Sequence, residues 1–132
     1  MIRNNIYMLY RGEEYRIGKY TKDTVNLIST NAVDEQNGFE HFSIDPNLYR
    51  KTISVAEIGD VFSIHTYAIY KGQKCSVEGE DTEHYFLRVE QRSIADKLNF
   101  DIRDRDDFVK TVAKQDVEKI FEEKKLKENY FK

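Results

Sequence analysis

The stretch YMLYRGEEYRI (Tyr7 to Ile17) returns in altered form as YAIYKGQKCSV (Tyr67 to Val77). Tyr7, Tyr10 and Gly12 reappear as Tyr67, Tyr70 and Gly72, Leu9 becomes Ile69, and Arg11 becomes Lys71. A second pair, YRKTISVAEIGDVF (Tyr49 to Phe62) and FVKTVAKQDVEKIF (Phe108 to Phe121), aligns without gaps. Lys51, Thr52 and Phe62 match Lys110, Thr111 and Phe121, and Tyr49/Phe108, Ile53/Val112, Glu57/Asp116, Ile58/Val117 and Val61/Ile120 are conservative pairs. Two collinear matches in 132 residues describe an internal duplication of a unit of roughly sixty residues, fewer copies than a solenoid requires. A unit of that size is marginal alone, so residues 1–64 and 65–132 are expected to share one core.

Each unit opens as a hairpin. NIYMLY and HTYAIY are aromatic and β-branched runs, and EEYRIG and QKCSVE return with Tyr15/Ile17 and Cys75/Val77 alternating inward. Glycine at the same turn position in both copies predicts a backbone with φ > 0, which glycine adopts at little cost. Third strands are expected at TVNLIS (Val25, Leu27) and HYFLRV (Tyr85, Leu87, Val89), and a short strand at GFEHFS. A short helix is expected around Ile94 to Leu98, and strands at YRKTI and FVKTV, each followed by a helical turn. In DVEKIFEEKKLK, Val117, Ile120, Phe121 and Lys124 share one helical face with Asp116 as N-cap, so the chain is expected to end in a helix. The fold class is α+β, mainly β: two tandem SH3-like, barrel-like units and a C-terminal helix.

Chemistry is thinly represented. Cys75 is the single cysteine, so no internal disulfide forms and nothing points to an oxidising compartment. No apolar run approaches the length that spans a bilayer, and the first residues lack the apolar stretch of a secretory signal, which reads as cytoplasmic. His41, His65 and His84 have no second ligand at zinc spacing, and Glu40-His41 and Glu83-His84 are neighbours on a strand that point to opposite faces. No phosphate loop, GxSxG, HExxH or CxxC occurs. No enzyme, metal or cofactor is therefore expected, and Cys75 and the histidines read as structural.

The copies differ most in one loop. EGEDTE carries Glu78, Glu80, Asp81 and Glu83, whereas its counterpart GKYTKD carries Lys19, Lys22 and Asp23. A solvated hairpin explains the acidic loop, as does a contact patch for a basic protein partner. Tyrosines such as Tyr20 and Tyr85 would add aromatic contact area to such a patch. Net charge is −3, which disfavours a nucleic-acid partner.

The combination Y.K.I...EI..VF.I.T.AIYKG, from Tyr49 to Gly72, resembles small, often duplicated Firmicute proteins encoded beside polymorphic toxins. The resemblance covers the repeat core, about half the chain. It implies an immunity protein that blocks a cognate toxin by stoichiometric binding, and it carries over no site residues. The alternative is an SH3-like or Tudor-like module that binds a peptide or nucleic acid.

Overall fold

A computed structural model describes residues 2–41 and 44–131. It divides into a first unit, Asn5–Ser63 with 125–131, and a second, Ile64–Lys124 with 2–4. Strands dominate, all the registered pairs are antiparallel, and one short α-helix is present among the described residues.

The first unit comprises β1 (Asn5–Tyr10), β2 (Glu13–Tyr20), β3 (Thr24–Ser29), a 3-10 turn at Ala32–Asn37, β4 (Glu40–His41), β5 (Tyr49–Ser54), a 3-10 turn at Val55–Glu57 and the start of β6 (Val61–Tyr70). Its strands neighbour one another in the order β4-β5-β3-β2-β1. The β1–β2 turn places Arg11 at φ 52° and Gly12 at φ 82°, the two positive angles of a type I′ hairpin. Gly59 N–H donates to Leu9 O and Leu9 N–H to Asp60 O, both at 2.9 Å, which brings the approach to β6 back to β1. Alternation then does the sorting. Met8, Tyr10, Tyr15, Val25, Leu27, Tyr49, Ile53 and Val61 face one buried cluster with Phe39. Of the short strand expected at GFEHFS, Glu40–His41 is a strand, while Phe42 and Ser43 lie outside the described residues.

The second unit continues with the rest of β6, then β7 (Gln73–Glu80), β8 (His84–Val89), α1 (Arg92–Leu98), β9 (Asp101–Asp104), β10 (Asp107–Ala113), a 3-10 turn at Lys114–Asp116 and β11 (Lys119–Leu126). Strand order is β6-β7-β8-β10-β9, and β11 pairs with β6. Its cluster gathers Ala68, Tyr70, Cys75, Val77, Leu87, Val89, Phe108 and Val112 with Ala95, Leu98 and Phe100 from α1 and the residues after it. Leu87 is wholly buried, and burying such a side chain is worth about 1.5–3 kcal/mol. β9 was not foreseen: three of the four residues in DIRD are charged and all four are exposed, so it carries no alternation of burial.

Several backbone bonds and turns recur at corresponding positions of the two units. Lys71 and Gly72 (φ 49° and 78°) repeat the turn at Arg11 and Gly12. The register slips between Ile17 and Tyr20 in β2, and between Val77 and Gly79 in β7. Thr21 N–H reaches Thr24 O as Asp81 N–H reaches His84 O. Val55 N–H reaches Asp23 O as Lys114 N–H reaches Glu83 O, and Gly59 N–H reaches Leu9 O as Glu118 N–H reaches Ile69 O.

The expected C-terminal helix is corrected. Val117 ends the 3-10 turn, and Lys119–Leu126 is a strand. Its Glu/Lys-rich composition favours a helix, but helix propensity is worth only tenths of a kcal/mol per residue. Pairing with β6 gives its backbone groups partners, and Phe121 lies 5.9 Å from Tyr67 while Lys74 bonds Glu123 at 2.7 Å. Among the described residues no helix is long and apolar enough to cross a membrane.

Candidate functional site: an ion-paired acidic loop and an exposed aromatic

The acidic loop joins β7 to β8, and its four carboxylates have different surroundings. Glu78 accepts two bonds from Arg103, Nη1 at 2.8 Å and Nη2 at 2.6 Å. Arg103 also reaches Asp107 through Nε (2.8 Å), and Arg88 Nε bonds the same carboxylate at 2.6 Å. The Arg103 hydrogen bonds hold Glu78 and Asp107 below the usual carboxylate range and push the guanidinium up in turn. Glu80 accepts from Lys114 Nζ at 2.6 Å, and that bond lowers its pKa.

Asp81 is built into the turn. Its Oδ1 accepts from the backbone N–H groups of Glu83 (2.9 Å) and His84 (2.7 Å) and lies 3.1 Å from His84 Nδ1. The Glu83 amide is the foremost cause of its lowered pKa. In the first unit Thr21 Oγ1 does the same work for Asp23 and Thr24, at 3.2 and 3.1 Å. A neutral hydroxyl therefore suffices to fold this turn. Glu83 is exposed, and its carbonyl receives Lys114 N–H.

Tyr85 is half-buried, with Lys114 Nζ 5.1 Å from its ring centre. Tyr20 belongs to the first unit and is 53% exposed. Its ring meets Phe131 edge-on at 5.1 Å and a tilted Tyr130 at 5.9 Å. Tyr130 and Phe131, which sequence reasoning missed, line a hollow of about 680 Å³ together with Val55, Ile58, Val61 and Leu126. In the second unit a hollow of about 460 Å³ is lined by His65, Thr66, Glu78, Arg88, Arg103 and Asp107. Arg103 and Asp107 are four positions apart, but the reach of Arg103 to Glu78 crosses 25 positions and leaves no local trace in the sequence.

Cys75 is 1% exposed, and burial pushes its thiol up to about 11, the opposite of an activated nucleophile. His41 stacks on Tyr49 at 4.6 Å, and His65 is exposed. Among the described residues no three His, Cys, Asp or Glu side chains converge to hold a metal.

Hairpins with positive-φ turns, 3-10 turns before the closing strands and a buried cluster in each unit define a mainly-β protein of antiparallel strands. Within that class, the chain belongs to the family described as uncharacterised conserved protein UCP033725, whose model matches residues 2–129. No curated protein and no solved structure matches the chain.

Proposed function

We propose that this is a non-catalytic protein-binding protein of the immunity type, which neutralises a cognate toxin by stoichiometric binding in the cytoplasm. The observation that carries the reading is that the turn under the acidic loop folds in the other unit without a carboxylate at its capping position. The same turn, with the same backbone bonds, is built in the first unit with Thr21 between Lys19 and Lys22. The carboxylates at Asp81 and Glu83 are thus charges that folding does not demand. Glu78 and Glu80 already have cationic partners and serve as the frame. Asp81 and Glu83 project the local negative field, with Tyr85 beside them as the aromatic contact. Clustered charge of one sign speeds association with an oppositely charged partner, which is valuable when free toxin is lethal.

The matched hydrogen bonds, turns and register shifts also support descent of both units from one duplicated SH3-like barrel. In each, a 3-10 turn leads the closing strand back to the first strand.

The test is co-expression with the gene adjacent to this one. That gene alone should arrest growth, the wild-type protein should restore it, and the two products should co-purify in equal amounts. Glu83→Lys with Asp81→Thr retains the turn and should weaken rescue. An adjacent product that is harmless, or that never co-purifies, removes the immunity reading; full rescue by the double variant moves the contact surface elsewhere.

A further inference from the structure

A short strap of the chain walls one side of an open hollow in the first unit, opposite Val55, Ile58 and Val61, and its two rings lean on Tyr20. The strap is Lys127–Phe131. Lys127 N–H anchors it to Val61 O at 2.8 Å, Asn129 turns it with φ 57°, and Tyr130 and Phe131 then pack on the buried cluster and against Tyr20. Between anchor and aromatic pair remains about 680 Å³, within the range of pockets that hold a ligand or several side chains.

The second unit shows that the fold does not require an apolar groove here. Tyr20 and Val55 correspond to Glu80 and Lys114, which close that position with a 2.6 Å ion pair. One copy has an ionic closure, and the other has an exposed aromatic, an aliphatic wall and a strap.

We propose that the first unit carries a docking groove for an extended peptide with two adjacent aromatic residues, for which Tyr130–Phe131 is the resident competitor. The strap displays the ligand's chemistry: a backbone bond at Val61 O and two consecutive rings, one edge-on to Tyr20. A partner segment of that kind takes the strap's ring positions and also reaches the open hollow along Val55, Ile58 and Val61, so it gains contacts the strap does not make. This deepens the protein-binding reading and rests on it, since it names the chemistry a protein partner would present to the first unit.

The probe is a fluorescein-labelled Lys-Glu-Asn-Tyr-Phe peptide, read by polarisation against the full chain. The variant Tyr130→Ala/Phe131→Ala should bind it at least about tenfold more tightly than wild type, because the resident competitor no longer occupies the groove. Adding Tyr20→Ala, or adding Tyr20→Glu with Val55→Lys to install the other unit's ion pair, should abolish binding. The Glu/Lys variant guards against loss of folding, since its pair is one the scaffold already accommodates. A Lys-Glu-Asn-Ala-Ala peptide should not bind. Equal affinity for wild type and the strap variant, no binding by either, or binding indifferent to Tyr20 overturns the groove. A wild-type dimer that the strap variant loses overturns it too, because it assigns the strap to a second copy. Growth rescue by co-expression is read separately, so a failed groove and a failed immunity role give different results.

Discussion

Asp34 should be essential where it stands and dispensable when its neighbours change with it. Its carboxylate accepts from Ser29 Oγ, from Tyr15 Oη at 3.2 Å and from Asn37 Nδ2 at 3.0 Å. Tyr15 and Ser29 are 8% and 7% exposed. Burial, then Asp34, pushes the Tyr15 phenol up to about 12. Burial also pushes Asp34 up, but the three hydrogen bonds outweigh it and its pKa lies below the usual value. In the second unit the corresponding residues are Cys75, Val89 and Ile94, all packed in or against the apolar cluster. The same position thus holds either a fully satisfied polar trio or a fully apolar one. Asp34→Ile alone strands two buried hydroxyls at about 1–3 kcal/mol each, so we expect a loss of about 2–6 kcal/mol. The triple variant Tyr15→Phe/Ser29→Val/Asp34→Ile removes the stranded groups and should lie within about 1–2 kcal/mol of wild type. The residue is the Asn31 N–H, which loses Ser29 Oγ (3.0 Å) as acceptor. The chain has no Trp, so urea unfolding is followed by far-ultraviolet circular dichroism, comparing midpoints at constant slope. The sign of the acid response follows from the lowered pKa of Asp34: its contribution is present above the unfolded carboxylate value of about 3.9 and is lost as pH falls through the folded value. The triple variant should lack that component. A triple variant as destabilised as the sum of its singles refutes the coupling and the correspondence of the two sites.

Two further expectations follow from charge and burial. Cys75, buried and with its thiol pushed up to about 11, should resist a thiol-specific disulfide reagent at pH 8 in the folded protein and react fully in urea; prompt reaction in the native state would contradict its placement. Glu78 and Asp107 are depressed by Arg103, so the second unit's melting temperature should hold above about pH 5 and fall as pH drops through their folded values; Arg103→Gln should flatten that acid limb, and an unchanged profile would show the network contributes nothing measurable.

The repeat, the hairpins and the inward faces were legible because they depend on local rules. Glycine at positions 12 and 72 marks positive-φ turns, and period-two alternation marks Tyr15/Ile17, Cys75/Val77 and Leu87/Val89. The alignment even paired Val61 with Ile120, the right hint for β11, but a helical pattern in a charged segment outweighed it. Only the tertiary structure could reverse that, because a strand's stabilisation lies in a partner strand some fifty residues distant, while helix periodicity is read within the segment itself. The same limit governs the candidate sites. Sequence marked the acidic loop and Tyr20 by contrast between copies, a local comparison. It could not show that Arg103 and Lys114 had already engaged Glu78 and Glu80, or that Tyr130 and Phe131 return to Tyr20, because ion pairs and ring contacts between distant positions leave no periodicity in the chain.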